Sequence, residues 1–349
     1  MTATLRVCVI PGDGAAPEAM QASLRVLHCL EMPINWDFMP EGNALSAMGL
    51  EEREQLFEDH IDAADTVLFG ATDGTSPGAR YMRWGRLTFA NVRPIRWQPG
   101  FNSALRKPED IDYVIVRENL EDMYVGIMGD AKDLLNAGLS DARSRLPQHA
   151  ADGRFAAKIV TRPGTEQVAK FACDLALRRS GRLTVSAKTN MLPATDRWFC
   201  EIAKEVSQDY PGVHFEEFIV DDMAHRLVVK PDELDVLLLP NLYGDILSDL
   251  GAGTIGGLGL APSGCYGNDF AYFESAHGTA PDIAGMGLIN PTATLLSAAM
   301  MLRYLNLTEA ANRLETAIAE VYLAGSDLTP DQGGNATTEI FADAVIGAL

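Results

Sequence analysis

Short aliphatic runs alternate with stretches of helical periodicity along nearly the whole chain. Residues 5–10 have the apolar character of a buried strand, Pro11-Gly-Asp-Gly14 the composition of a tight turn, and residues 17–30 helical apolar spacing. Strands are predicted again over 35–39 and 66–70, around a helix over 50–60. Further along, 113–117, 155–161, 183–187, 215–220 and 235–240 carry strand patterns, and 165–178, 223–229, 291–304, 308–324 and 337–346 carry helical ones. This alternation predicts an α/β fold, a mostly parallel sheet flanked by helices. The run Gly251-Ala-Gly-Thr-Ile-Gly256 matches G-x-G-x-x-G only formally: it follows a helical stretch where the dinucleotide motif needs a strand, so no Rossmann fold is predicted. The polar, weakly patterned stretch 128–153 reads as a protruding arm or dimer contact.

Composition narrows the partners. At 349 residues the chain has room for two domains, or for one large α/β body with a smaller lobe. Its 28 Lys and Arg against 48 Asp and Glu leave a net charge of −20, which argues against nucleic acid or an anionic membrane, since either needs a basic face. The five cysteines, Cys8, Cys29, Cys173, Cys200 and Cys265, are scattered and never spaced as C-x-x-C, as expected of thiols in a reducing compartment. No apolar run is long enough for a membrane span or signal segment, so a cytoplasmic location is expected.

The densest candidate chemistry is Asn241-Leu-Tyr-Gly-Asp-Ile-Leu-Ser-Asp249, just past the end of the strand predicted over 235–240, where open α/β sheets bind ligands. A helix starting near Tyr243 puts Asp245 and Asp249 at i and i+4 on one face, with Ile246, Leu247 and Leu250 on a buried one. Such a carboxylate pair is either a hard-cation site or a solvated acidic edge. Upstream, Arg80, Arg83 and Arg86 recur every three residues among Tyr81, Trp84 and Leu87, a basic stripe beside an aromatic one if helical. With Arg93 and Arg117 they form either a pocket for a substrate with several carboxylates, gripped through paired hydrogen bonds, or a set of surface arginines paired with the abundant acids. Lys188, at the end of the strand predicted over 183–187, is a catalytic base or a solvated lysine, and Asp221 and Asp222 stand where they can cap a following helix.

Taken together, Pro11-Gly-Asp-Gly14, Phe89-Ala-Asn-Val-Arg-Pro94, Val116-Arg-Glu-Asn119 with Tyr124, Lys188-Thr-Asn190, Val220-Asp221, residues 241–249 and residues 277–291 resemble the family of isocitrate, homoisocitrate and isopropylmalate dehydrogenases. The pieces occur in the family's order and span nearly the whole chain. The resemblance implies that family's two-domain fold, with 1–97 and 253–349 as a larger cofactor-binding domain and 98–252 as a smaller substrate and dimerisation domain. It implies Mg²⁺ or Mn²⁺ on Asp245, Asp249 and Asp221 of a partner subunit, and substrate carboxylates on Arg83, Arg93 and Arg117. Lys188, also from the partner, would assist loss of the hydroxyl proton, and Tyr124 would return a proton after CO₂ leaves, so an obligate homodimer with shared sites is expected. The chemistry is consistent: oxidation at C2 gives a β-keto acid, a cation polarises its carbonyl and stabilises the enolate left by decarboxylation, and an acid protonates it.

By the same resemblance, His277, Gly278, Thr279, Ala280, Asp282, Ile283 and Asn290 wrap the adenosine of the cofactor. Asp282 can accept a hydrogen bond from a free ribose 2′-hydroxyl and repels a 2′-phosphate, and relatives that use NADP have Lys-Tyr where this chain has Asp282-Ile283, so NAD is expected. The chain departs from the family most just before Arg83. Typical bacterial isocitrate enzymes have Ser and Asn where Pro77 and Ala79 stand, and isopropylmalate enzymes have leucine in this region, where Arg80 would bury a charge against an isopropyl group. Some homoisocitrate enzymes resemble Arg80-Tyr81. The expected substrate is therefore a 2-hydroxy acid with an anionic third arm: isocitrate, homoisocitrate or a phosphonate analogue. D-malate or tartrate and 3-isopropylmalate are the alternatives, and a non-catalytic regulatory subunit is the alternative of another class.

Overall fold

The computed structural model describes residues 4–40, 45, 48–74, 76–141 and 152–349. Ten strands form one sheet. In chain order they are β1 (Leu5–Ile10), β2 (Ile34–Phe38), β3 (Thr66–Phe69), β4 (Ala90–Arg96), β5 (Asp112–Glu118), β8 (Arg182–Ala187), β9 (His214–Ile219), β10 (Val236–Leu239), β11 (Pro262–Tyr266) and β12 (Ala271–Ser275). The short β6 (Met128–Asp130) and β7 (Arg154–Ala156) pair with each other in a separate two-stranded sheet. The order across the large sheet is β2-β1-β3-β12-β11-β4-β5-β10-β8-β9. Six of its nine pairings are parallel; only those joining β12, β11, β4 and β5 in succession are antiparallel.

Both faces of this sheet are covered, which explains why its inner strands are apolar runs rather than alternating ones. Along β10, Leu237 and Leu239 pack into one core with Phe273, Leu295, Tyr322 and Phe341. Val236 and Leu238 point the other way, into a second core with Val168, Ala172, Phe199 and Ala203. Fully burying a side chain of this kind contributes about 1.5–3 kcal/mol, so a charge at Leu237 or Leu238 would break the sheet at its centre. The α/β class and the absence of a Rossmann motif both hold. Gly251–Gly256 is the last turn and C-cap of the helix Asn241–Ile255, not a strand-to-helix loop.

Several expectations need correction. The stretch 155–161 contributes only Phe155 and Ala156 to a strand, the short Arg154–Ala156, followed by an isolated bridge between Ile159 and Asp122. Beyond Ala156 the side chain of Lys158 turns inward to two buried carboxylates. The helix placed from Tyr243 begins at Asn241. Its Leu247 is buried, but Ile246 is 58% exposed, because among the described residues no element lies over that side. The arginine stripe is not one α-helix: a single turn Pro77–Arg80 passes into a π-helical turn Tyr81–Gly85, which rotates the following residues off the three-residue spacing. Of the stretch read as a protruding arm, residues 142–151 lie outside the described residues, as does the side chain of Pro77. Among the described residues no helix is long and apolar enough to cross a membrane.

Candidate active site

Adjacent strands set the site. Arg117 lies opposite Leu239 on β10 and opposite Asn91 on β4, so the ends of three strands meet where the helix Asn241–Ile255 begins. Arg117 crosses that helix at Gly244, where a Cβ would stand 2.6 Å from the Arg117 Cγ. Having passed it, Arg117 donates from Nε and Nη2 to Asn241 Oδ1, at 2.9 and 2.7 Å, and from Nη1 to Asp245. Arg93 donates to Asn91 Oδ1 at 2.8 Å, to Ser248 Oγ at 2.7 Å and to Asp249 Oδ1 at 3.2 Å. Arg83 is held by Asn119 Oδ1 and lies over the rings of Trp84 and Tyr124. Tyr124 donates its hydroxyl to Asp245 Oδ2 at 2.5 Å.

These groups open on a cleft of about 310 Å³ lined by Arg80, Arg83, Arg93, Arg117, Tyr124 and Asp245 on one side and by Glu274, Ser275, His277 and Gly278 on the other. Arg83, Arg93 and Arg117 are anchored by carboxamides or carboxylates. Arg80 is exposed and, among the described residues, has no hydrogen-bond or ion-pair partner. Arg86 does not join them, contrary to the stripe read from the sequence: beyond the π turn it pairs with Asp62 at 2.6 Å and covers the Phe270 ring.

Such crowding of charge alters the titration of Asp245, Tyr124 and Arg117. Burial would raise the Asp245 carboxyl, but Arg117, the Tyr124 hydroxyl, Arg93 and Arg83 together hold it below the usual carboxylate range. Burial and then Asp245 raise the Tyr124 phenol, which therefore stays protonated and able to donate. Burial and the neighbouring Arg93 bring Arg117 down to about 10, still charged at neutral pH. Burial also raises Asp249 and Glu274. Behind the cleft Glu118, pushed up to about 7 by burial, accepts the N–H groups of Leu120 and Glu121 in the turn leading to Tyr124.

The remaining predicted residues lie apart. Lys188 Nζ donates to Asp221 Oδ1 at 2.6 Å, with side chains 30% and 62% exposed, and neither residue lines the cleft. Asp221 sits in the first turn of the helix Val220–Val229 without capping it. Asp245 and Asp249 share one face, but among the described residues no group of three His, Cys, Asp or Glu could hold a metal. Their oxygens are of the kind that suits a hard divalent cation, which takes six or more oxygen ligands, more than these two carboxylates supply.

On the cofactor side, the turn 11–14 clamps the 277–283 loop. Ala15 N–H donates to the Thr279 carbonyl at 2.8 Å, and Gly14, at φ +61°, approaches so closely that a Cβ would stand 2.3 Å from that oxygen. His277 Nε2 is buried without a partner, and burial lowers its pKa, so the imidazole is neutral. Ala280 takes a left-handed conformation, and Pro281–Ile283 is a single 3-10 turn with Asp282 exposed. Asn290 is committed inward, to Tyr322, Asp331 and the N–H of Thr292. Sequence reasoning assigned no role to Asn91, Asn119, Asn241 or Glu274. The first three sit inside the recognised motifs, but only Asn91 stands near in sequence to the arginine it holds, Arg93.

The comparisons with known proteins decide the family. The model of the isocitrate/isopropylmalate dehydrogenase family matches residues 6–345. The chain belongs to that family. It is 40% identical over 352 residues to an isocitrate/homoisocitrate dehydrogenase of Thermus thermophilus, covering 99% of this chain and 98% of that one. It is 38% identical to a 3-isopropylmalate/3-methylmalate dehydrogenase of Methanocaldococcus jannaschii, covering 97% of each. The crystal structure of isocitrate dehydrogenase from Methylococcus capsulatus superposes with a TM-score of 0.85 at 32% identity, over 99% of both chains. The family comprises decarboxylating dehydrogenases of small 2-hydroxy carboxylates that use a nicotinamide cofactor and a divalent cation.

Proposed function

We infer that this member of the family oxidises and decarboxylates a 2-hydroxy acid with an anionic third arm, such as isocitrate, homoisocitrate or a phosphonate analogue, with NAD as oxidant. Arg80 carries the reading. Three guanidinium groups suffice for a malate-like core, and Arg80 is a fourth, on the cleft wall, without a partner among the described residues. An apolar arm would leave that charge unmatched in a closing cleft, whereas a third carboxylate or a phosphonate pairs with it. Overall similarity does not choose between substrates, because relatives named for either kind of acid lie at 40% and 38% identity.

The mechanism follows from the placement of charge. Asp245 and Asp249 would hold the cation, which when bound would supply Lewis-acid polarisation of the substrate oxygen, and the nicotinamide would supply the hydride acceptor. The chain's own groups orient and move protons. Arg83, Arg93 and Arg117 fix the carboxylates, Lys188 of the partner subunit helps to take the hydroxyl proton, and Tyr124 O–H protonates the carbon that CO₂ leaves. In this reading Asp221 of the partner subunit completes the cation site, and residues 98–252 form the lobe that carries the dimer contact. Apolar side chains lie exposed beside the chemistry in three places: Ile246 at 58%, Val229 at 51% and Met191 at 67%, as a subunit interface would require. NAD rests on Asp282 in the loop beside His277, where a carboxylate repels a 2′-phosphate. Cleft residues and Lys188 together supply every proton-handling group the reaction needs, which speaks against a purely regulatory subunit.

The test is side-by-side kcat/KM for isocitrate, homoisocitrate, 3-isopropylmalate and D-malate with Mn²⁺ and either NAD or NADP. Preference for an acid with a charged third arm is expected; preference for 3-isopropylmalate or D-malate overturns the role given to Arg80, and preference for NADP that given to Asp282.

A further inference from the structure

We propose that Lys158 is a positioning residue that ties the proton-handling groups of one subunit to those of its neighbour. Its side chain, 13% exposed, lies between two buried carboxylates, with Nζ 2.6 Å from Asp196 Oδ1 and 3.5 Å from Asp122 Oδ2. The same ammonium stands 4.4 Å from the centre of the Tyr243 ring. Each carboxylate also holds a chemistry-bearing segment. Asp122 accepts the N–H of Met123, beside Tyr124, and the N–H of Leu242, in the first turn of the helix that carries Asp245 and Asp249. Asp196 accepts the backbone N–H of Lys188 at 2.8 Å. One cation thus joins the Tyr124 turn, the Asp245 helix and the Lys188 turn.

Stability alone does not account for this arrangement, because taking three charges out of water costs more than well-packed apolar residues would. Asp122 is moreover held at φ +66°, a conformation that a residue with a Cβ rarely adopts, so its surroundings over-determine it. The inference rests on the proposed dimer with shared sites: Tyr124 and Asp245 serve their own subunit's site and Lys188 serves the neighbour's. A shift at Lys158 therefore disturbs both sites of the dimer, whereas loss of Tyr124 or Lys188 silences one.

Differently tagged subunits allow the test. The Lys158→Met homodimer is expected to lose about 100-fold in kcat with KM for the acid changed by about twofold or less, because the substrate arginines are untouched. The wild-type/Lys158→Met hybrid is expected to keep less than about a fifth of the wild-type kcat, against about half for a defect confined to one site. A hybrid at half or above overturns the proposal, as does a homodimer whose only change is a lower Tm or a higher KM. Should Lys158→Met fail to fold around its two carboxylates, Lys158→Met with Asp196→Asn is read by the same criteria. A Tyr124→Phe/Lys188→Met hybrid separates the two readings. No activity in it sinks the shared site and this inference with it; recovered activity beside a half-active Lys158→Met hybrid sinks this inference alone.

Discussion

The cleft around Asp245 and the Lys188–Asp221 pair are built from the same kinds of residue in opposite settings. In the cleft, Asp245 meets Arg117 and Tyr124 among half-buried groups, with Arg93 at 3.5 Å, and each anchored guanidinium has a carboxamide behind it. At the other place one half-buried lysine meets one carboxylate that is largely in solvent. Electrostatics in the first is strong and costly to disturb, and in the second weak and screened. The difference teaches that the first set is organised by its own chain, whereas the second, whose pairing contributes little by itself, gains a purpose only when something else covers it.

Asp245→Asn is the severest way to probe this contrast. It removes a ligand of the proposed cation and leaves buried Arg117 without its nearest counter-charge, so kcat is expected to fall about 10³-fold with loss of Mn²⁺ dependence, read by NADH absorbance. Lys188→Met is expected to cost about 10²-fold in kcat yet to leave Tm within about 2 °C, because an exposed pair adds little to stability. A larger fall in Tm would mean that this pair is structural after all. Arg80→Gln should lower kcat/KM for isocitrate or homoisocitrate roughly 10- to 100-fold, the worth of a charged hydrogen bond, and leave D-malate nearly unchanged.

The smallest expected effect is a pH dependence behind the cleft. Burial raises the Glu118 carboxyl from 4.5 to about 7, so the folded chain binds its proton more tightly than the unfolded one. Its contribution to stability is full below pH about 4.5 and is lost as pH rises through about 7. Glu118→Gln keeps an acceptor for the Leu120 and Glu121 N–H groups and removes the titration. Its Tm relative to wild type should therefore improve by roughly 5 °C between about pH 5 and about pH 8. A constant difference across that range would show that Glu118 does not titrate as its burial implies.

Much of the site was legible because its residues sit at strand ends or at helical spacing. Asp245 and Asp249, four residues apart, do share a face, and Arg83, Arg93, Arg117 and Tyr124 do converge on one cleft with Arg80. What escaped was long-range. Asn241 reaches Arg117 across 124 positions and Asn119 reaches Arg83 across 36, and no periodicity within a segment announces such a partner. Arg86 was misread because its fate turned on a π turn that hydrophobic spacing does not encode. Ile246 was placed in a buried face because an apolar side chain looks the same in sequence whether this chain covers it or not.

By itself the sequence determined the α/β class, the strand-end position of the acidic helix and the family, since aliphatic runs, turn glycines and ordered motifs are local signals. Only the tertiary structure decided which arginines are anchored and which has no partner among the described residues, that Lys188 and Asp221 stand apart from the cleft, and that Lys158 lies between two carboxylates. Each of those depends on distances between segments far apart in the chain, set when both faces of the sheet pack.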